Sequence, residues 1–312
     1  MFKRIWTIIL VFFGATMTSW GQYDPSFSHY FDMETSFNPA AVGKQSKLNV
    51  AVAYALEMAG FKNSPQTAYA SADIPFYAMK IYHGAGAVLQ NDKIGLFTHQ
   101  KLALQYALKF NCFGGQMGLG VQTSMLNETF DGSKLDLEDA NDPAFSNSKL
   151  TGNKIDLGAG IYYMHKDLYA GISAQHLLSP LINLGETNEL QIDRTYYLTG
   201  GYNIKLRNPF VTIKPSVLVR TDMTAYRADI TGRLVYANDE KVMYGGISYS
   251  PTNSLTILIG GNFHGITLGY SYEFYTSAIN PGNGSHELFV GYQHDINLVK
   301  QGKNLHKSVR IL

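Results

Sequence analysis

From Leu48 onward, large apolar residues alternate with small or polar ones. This is the period-two signal of a strand whose two faces meet different surroundings. In 48–57, Leu48, Val50, Val52, Tyr54 and Leu56 share one face, while Asn49, Ala51, Ala53, Ala55 and Glu57 share the other. In 101–110, Leu102, Leu104, Tyr106, Leu108 and Phe110 oppose Lys101, Gln105 and Lys109. Further on, Met117, Leu119, Val121 and Met125 oppose Gln116, Gly118, Gly120, Gln122 and Ser124, and Ile155, Leu157, Ile161 and Tyr163 oppose Asp156, Gly158 and Gly160. The alternation is clearest in 265–274, with Ile266, Leu268, Tyr270, Tyr272 and Phe274 against Thr267, Gly269, Ser271 and Glu273. Such runs cover 48–57, 66–76, 84–92, 99–110, 116–127, 154–164, 168–176, 195–206, 210–221, 225–236, 242–250, 254–262, 264–275 and 285–295, fourteen in all. An even number of ~10-residue alternating segments, separated by turn residues, predicts an all-β fold: a transmembrane outer-membrane antiparallel β-barrel of about 14 strands. Closing the barrel satisfies every backbone polar group within lipid. A soluble sandwich would need polar outer faces on both sheets, whereas here one face is aliphatic throughout.

The flanks divide the chain into four parts. Residues 1–21 read as a signal peptide: Lys3 and Arg4 precede the apolar stretch Ile5 to Phe13, and Ser19 and Gly21 supply small residues for cleavage before Gln22. Residues 22–47 are expected to be an N-terminal periplasmic segment, 48–296 the barrel in the outer membrane, and 297–312 a C-terminal tail with a small basic run. Short connections at Gly114-Gly115 and Lys166-Asp167 suit tight turns on one side, while the acidic stretch 128–150 and residues 177–194 are long loops for the other. Both tryptophans, Trp6 and Trp20, fall in the signal, so tyrosines near strand ends must supply the interfacial girdle.

Composition narrows the chemistry. With 25 Lys+Arg against 24 Asp+Glu, the chain lacks the basic excess of a nucleic-acid binder. One cysteine, Cys112, excludes a disulfide framework and a thiolate zinc cluster. The charged fraction of 16% is below the roughly 25% of soluble domains, and outer-membrane lipid is the implied surrounding. Nine histidines are scattered singly, so no metal site is expected. Ser285, His286 and Glu287 are adjacent, but alternation turns His286 away from the other two, and they cannot form a catalytic relay. No phosphate-binding loop is present, and no cofactor or enzymatic activity is expected. Lys101, Lys109, Asp156, Lys205, Lys214, Arg220, Asp229, Arg233 and Glu273 are assigned to the lumen, as ion pairs filling a polar interior or as a grip on a partner. The barrel alone also admits a passive channel or apolar-solute transporter.

Four stretches together resemble the PorP/SprF family, outer-membrane proteins of the type IX secretion system of Bacteroidetes. QYDPSFSHYFDMETSFNPAAVG is similar to the family's opening, with Asn38, Pro39 and Ala40 followed by Gly43. AGFKNSPQTAYASADIPF resembles its Pro-Gln-Thr strand at Pro65, Gln66 and Thr67, and Asn91, Asp92, Lys93 and Gly95 resemble its third-strand turn. GYSYEF followed by GSHELFVGY, with Gly284, Ser285, His286 and Glu287, resembles its last hairpin. One departure is Met58, where the family commonly carries an aromatic or basic residue. The resemblance implies a non-enzymatic barrel of the secretion and gliding machinery. Its implied partners are periplasmic ring and lipoprotein components and, in one branch, the C-terminal domain of a secreted adhesin. Asn38, Pro39, Pro65, Gln66, Thr67, Asn91, Asp92, Lys93, Gly95, Gly284, Ser285, His286 and Glu287 are structural or partner-binding positions on this reading.

Overall fold

The computed structural model describes residues 23–134, 149–185, 188–238, 241–276 and 283–296. The signal segment, the C-terminal tail and most of the acidic loop lie outside these residues. The alternating runs become strands β1 (Lys47–Leu56), β2 (Gln66–Ala78), β3 (Ile81–Ile94), β4 (Phe97–Cys112), β5 (Gly115–Asp131), β6 (Lys149–His165), β7 (Leu168–Gln175), β8 (Leu181–Leu184), β9 (Asn188–Gln191), β10 (Thr195–Tyr202), β11 (Ile204–Lys205), β12 (Val211–Thr221), β13 (Tyr226–Asn238), β14 (Lys241–Ser250), β15 (Ser254–Phe263), β16 (Ile266–Tyr275) and β17 (Ser285–Asp295). β10 and β11 are two parts of one stave interrupted at Asn203, both pairing with β12, so the described residues form fourteen antiparallel staves. β1 pairs with β17 and β10 pairs with both β7 and β12, which closes the ring. β8 and β9 form a separate hairpin within the stretch 177–194 that the sequence pattern leaves as a loop.

The burial of the two strand faces inverts that of a soluble protein. Leu104, Val121 and Ile155 are 59%, 57% and 67% exposed, whereas their lumen-facing neighbours Ala103, Gln122 and Asp156 are buried. The aliphatic face therefore meets lipid and the small, polar face meets the interior. Two-residue turns at Met79-Lys80, Phe113-Gly114 and His264-Gly265 carry positive φ at both central residues. That geometry matches the right-handed twist of the strands it joins. These turns, with Lys47 and Asp295 paired beside them, mark one end of the barrel; the connection 57–65, the end of β5 and the start of β6 mark the other. Short turns face the periplasm in barrels of this kind.

Residues 23–46 do not stand apart in the periplasm; they fill the lumen. The segment carries Phe27, Tyr30, Phe31, Met33, Phe37 and Ala40 to Val42, all buried, an apolar load that water would not accommodate. Phe27 and Met33 pack against Ala51, Ala53, Tyr69, Ala103 and Phe289. Tyr30, Phe31 and Phe37 pack against Tyr197, Leu218 and Leu258. At the long-loop end, Ile182 and Leu184 of the β8–β9 hairpin, with Ile192, cover Leu126 and the partly buried Tyr23.

Candidate functional site: the plugged lumen

Asn38-Pro39 places a proline at the first position of a one-turn 3-10 helix, Pro39–Ala41, where its missing N–H costs nothing. Asn38 caps this turn by accepting from the Ala40 N–H at 2.9 Å, and its amide nitrogen donates to the Ile161 carbonyl of β6 at 3.1 Å. The turn lies directly on glycine. A side chain at Gly120 would collide with the Ala40 backbone, one at Gly160 with the Asn38 amide, and one at Gly84 with the Val42 carbonyl. Glycines on β3, β5 and β6 therefore leave the groove into which the segment fits.

Polar side chains from the wall then bind the segment's backbone. Lys109 donates to the Ala40 carbonyl at 3.1 Å, Gln105 to the Thr35 carbonyl at 2.7 Å, and Ser173 and Gln175 to the Phe37 carbonyl at 2.7 and 2.9 Å. The Gly43 N–H donates to Asp73 at 2.7 Å. Glu34 of the segment, itself buried, pairs with Lys44 and accepts from the Tyr162 hydroxyl at 3.0 Å. Toward the long-loop end, Glu287 accepts from the backbone N–H groups of Ser28 and His29 at 2.6 and 3.0 Å and contacts the His29 ring at 2.7 Å. Tyr30 bonds Ser216 and Thr231 at 2.9 and 3.2 Å.

Asp24 is the most densely held residue of the segment. Its carboxylate accepts from Tyr197 at 2.6 Å and meets His176 at 3.2 Å, its carbonyl accepts from Arg220 at 2.7 Å, and His176 reaches Asp156 at 2.9 Å on its other nitrogen. Burial pushes the Asp24 carboxyl up, but the His176 and Lys101 charges outweigh it and hold the group well below the usual carboxylate range. Burial lowers the His176 ring, and the Asp24 and Asp156 carboxylates overcome this and raise it above its ordinary value. Tyr23 hydrogen-bonds Glu128, which also pairs with His99.

The charges assigned to the lumen have different fates. Lys109 and Arg220 bind the segment, while Asp229 and Glu273 are bridged by Arg227 at 3.0 and 3.1 Å as interior ion pairs. Lys205 departs from expectation: it projects outward at the short-turn rim, paired with Asp167. The break in the stave at Asn203 puts it beyond the enclosed interior.

The motif positions also divide. Asn38 and Pro39 sit in the segment; Thr67, Asp92, Ser285 and Glu287 face the lumen, with Thr67 donating to Asp92 at 2.7 Å and Ser285 accepting from the Met58 N–H at 3.0 Å. Pro65 accepts from the Glu57 N–H at 2.9 Å in the loop before β2. Gln66, Asn91 and Lys93 lie on the opposite strand face, and His286 contacts Tyr270 there at 2.7 Å. Gly95 and Gly284 both take φ of +60° at strand ends. Although far apart in sequence, 66–67, 92–93 and 286–287 are neighbours across β17, β1, β2 and β3 through the pairs Leu56 with His286, Leu56 with Gln66, and Gln66 with Lys93. Sequence reasoning missed Asp24, His29, Glu34 and His176. The aromatic load of residues 23–37 was the signal that this segment needed a buried surface.

A family model described as type IX secretion system membrane protein PorP/SprF matches residues 19–292. The chain belongs to the PorP/SprF family. The match spans this PorP/SprF protein from residue 19 to the last stave, so the plugging segment and the barrel are one family unit. No curated protein matches. Among solved structures, a Pseudomonas aeruginosa FadL homologue is similar at 11% identity and TM-score 0.50, covering 83% of this chain and 93% of that one. The CymD monoaromatic hydrocarbon channel follows at 9% identity and TM-score 0.49, covering 86% and 94%. The Pseudomonas putida toluene transporter TodX has 8% identity and TM-score 0.48, covering 88% and 95%. At such identities the likeness to the FadL homologue is one of fold, an outer-membrane barrel.

Proposed function

We propose that this PorP/SprF protein is a non-enzymatic anchor of the type IX secretion and gliding machinery. It links periplasmic ring and lipoprotein components to the outer membrane, or receives the C-terminal domain of a secreted adhesin. The observation that carries this reading is the lumen filled by the chain's own segment, bound along its length by wall side chains. Such an interior favours a barrel that holds other proteins at its rims over one that passes solute through an open pore. The clustered family positions at the long-loop end of β17, β1, β2 and β3 supply one rim, and the periplasmic mouth supplies the other.

The test is affinity purification from the native outer membrane after mild cross-linking, with mass spectrometry of what is retained. Recovery of ring components or an adhesin C-terminal fragment is the expected result. A barrel recovered alone, together with conductance or solute flux in reconstituted bilayers, would replace this reading with that of a passive channel.

A further inference from the structure

Three side chains on the periplasmic side of the plug lack hydrogen-bond partners among the described residues, and burial normally demands them for two of the three. The Arg233 guanidinium lies 3.3 Å from the centre of the Phe31 ring and 5.9 Å from that of Tyr244, but makes no hydrogen bond or ion pair among the described residues. Its Nε is buried without an acceptor, and the Tyr244 hydroxyl is buried without any partner. Lys214 stands directly opposite Arg233 in the β12–β13 ladder, also with no hydrogen bond or ion pair among the described residues. Like charges placed opposite one another on a sheet face repel.

All three line a single vestibule of about 630 Å³ at the short-turn end of the barrel. That volume falls within the roughly 300–1,000 Å³ of small-ligand sites. Two carboxylates share it. Asp295 is paired with Lys47 at 3.5 Å, which leaves Asp32 as the counter-charge to Lys214 and Arg233 without an ion pair to either. Two cations against one anion leave a single positive charge, which suits a monoanionic carboxylate better than a dianionic phosphate. The planar fork of the arginine guanidinium matches two carboxylate oxygens.

We propose that this vestibule binds a carboxylate, held by Arg233 and neutralised by Lys214, presented by the free C-terminus of a peptide or by a small organic acid. The assignment stands apart from the secretion reading, because it rests on the unpartnered groups alone. It is tested by calorimetric titration of the purified, natively processed protein in nanodiscs with the monoanion butyrate and with its neutral isostere butyramide. Butyrate should bind at least tenfold more tightly, and raising salt should weaken it. Lys214→Gln should weaken butyrate at least fivefold while the barrel keeps its heat-modifiable mobility on gels. Arg233→Gln should abolish binding. Competition by a pentapeptide with a free C-terminus, but not by its C-terminal amide, would support the site and assign the source to protein; competition by small acids alone would support it with a metabolite as source. Equal titrations for butyrate and butyramide, or a Lys214→Gln Arg233→Gln double variant that binds like the wild type, would overturn it.

Discussion

Along β3 to β7 the N-terminal segment lies backbone to backbone on glycine, whereas along β12 to β17 side chains hold it and a vestibule opens beside them. The first wall excludes water by contact, with Asn38 to Gly43 seated where side chains are absent. The second is held by discrete polar contacts at Glu287, Ser216, Thr231 and Arg220, with Arg233 stacked on Phe31 between them. Contact of the first kind tolerates no added volume. Contact of the second kind fails one bond at a time.

The largest expected effect comes from filling the glycine groove. Gly120→Val drives a side chain into the Ala40 backbone, which can relieve the clash only by shifting the segment. A loss of about 3 kcal/mol or more is expected, the upper range of overpacking. Limited proteolysis should show residues 23–46 newly cleaved while the barrel still resists heat in detergent. Segment and barrel melting together, with no added cleavage, would refute the separation of plug from wall.

Next in size is Glu287→Ala, which removes the acceptor of two buried backbone N–H groups and the partner of His29. Leaving such donors unpaired costs about 2–3 kcal/mol. Cleavage should begin near Ser28 while Asn38 to Gly43 stay protected, and hydrogen exchange resolves the two. Uniform exposure of the whole segment would mean that the two walls hold it as one unit.

A smaller effect is expected from pH at the Asp24 and His176 pair. The depressed Asp24 carboxyl contributes stability that is complete above its ordinary value of 3.8 and lost as pH falls through its lower folded value. The raised His176 ring contributes stability that is complete below its ordinary value of 6.5 and lost as pH rises through its higher folded value. Protection of the segment's leading residues should therefore be greatest between these two values. His176→Gln should flatten the alkaline side and Asp24→Asn the acid side; a wild-type protection profile that does not change with pH would exclude this pair as the clasp.

The smallest effect serves as the control. Gly232 faces lipid with nothing within 4 Å of an added Cβ, so Gly232→Ala should change stability by no more than about 0.5 kcal/mol. A large loss there would mean that the glycines act through strand geometry and not through the groove.

The staves were legible before the structure because lipid imposes a period of two on every strand, and a one-residue error would turn Leu104 or Val121 into the lumen. The interruption at Asn203 and the β8–β9 hairpin were not legible, since both arise from local pairing in segments too short to show a period. Lys205 was misassigned for the same reason. Within the lumen, the glycines and charges were visible, but their target was not. Asp24 meets His176, Arg220 and Tyr197, and each of these contacts spans more than a hundred residues of chain.

The sequence by itself determined the fourteen staves, the closure of the sheet and which face meets lipid, because solvent and lipid act on every residue locally and repeatedly. Its four motifs determined the family as well. Only the tertiary structure decided what occupies the interior, because an apolar segment such as 23–46 specifies that it must be buried but not against which surface. The match between Asn38 to Gly43 and the glycines of β3, β5 and β6, and the pairing of Glu287 with Ser28 and His29, exist only once the ring has closed around them.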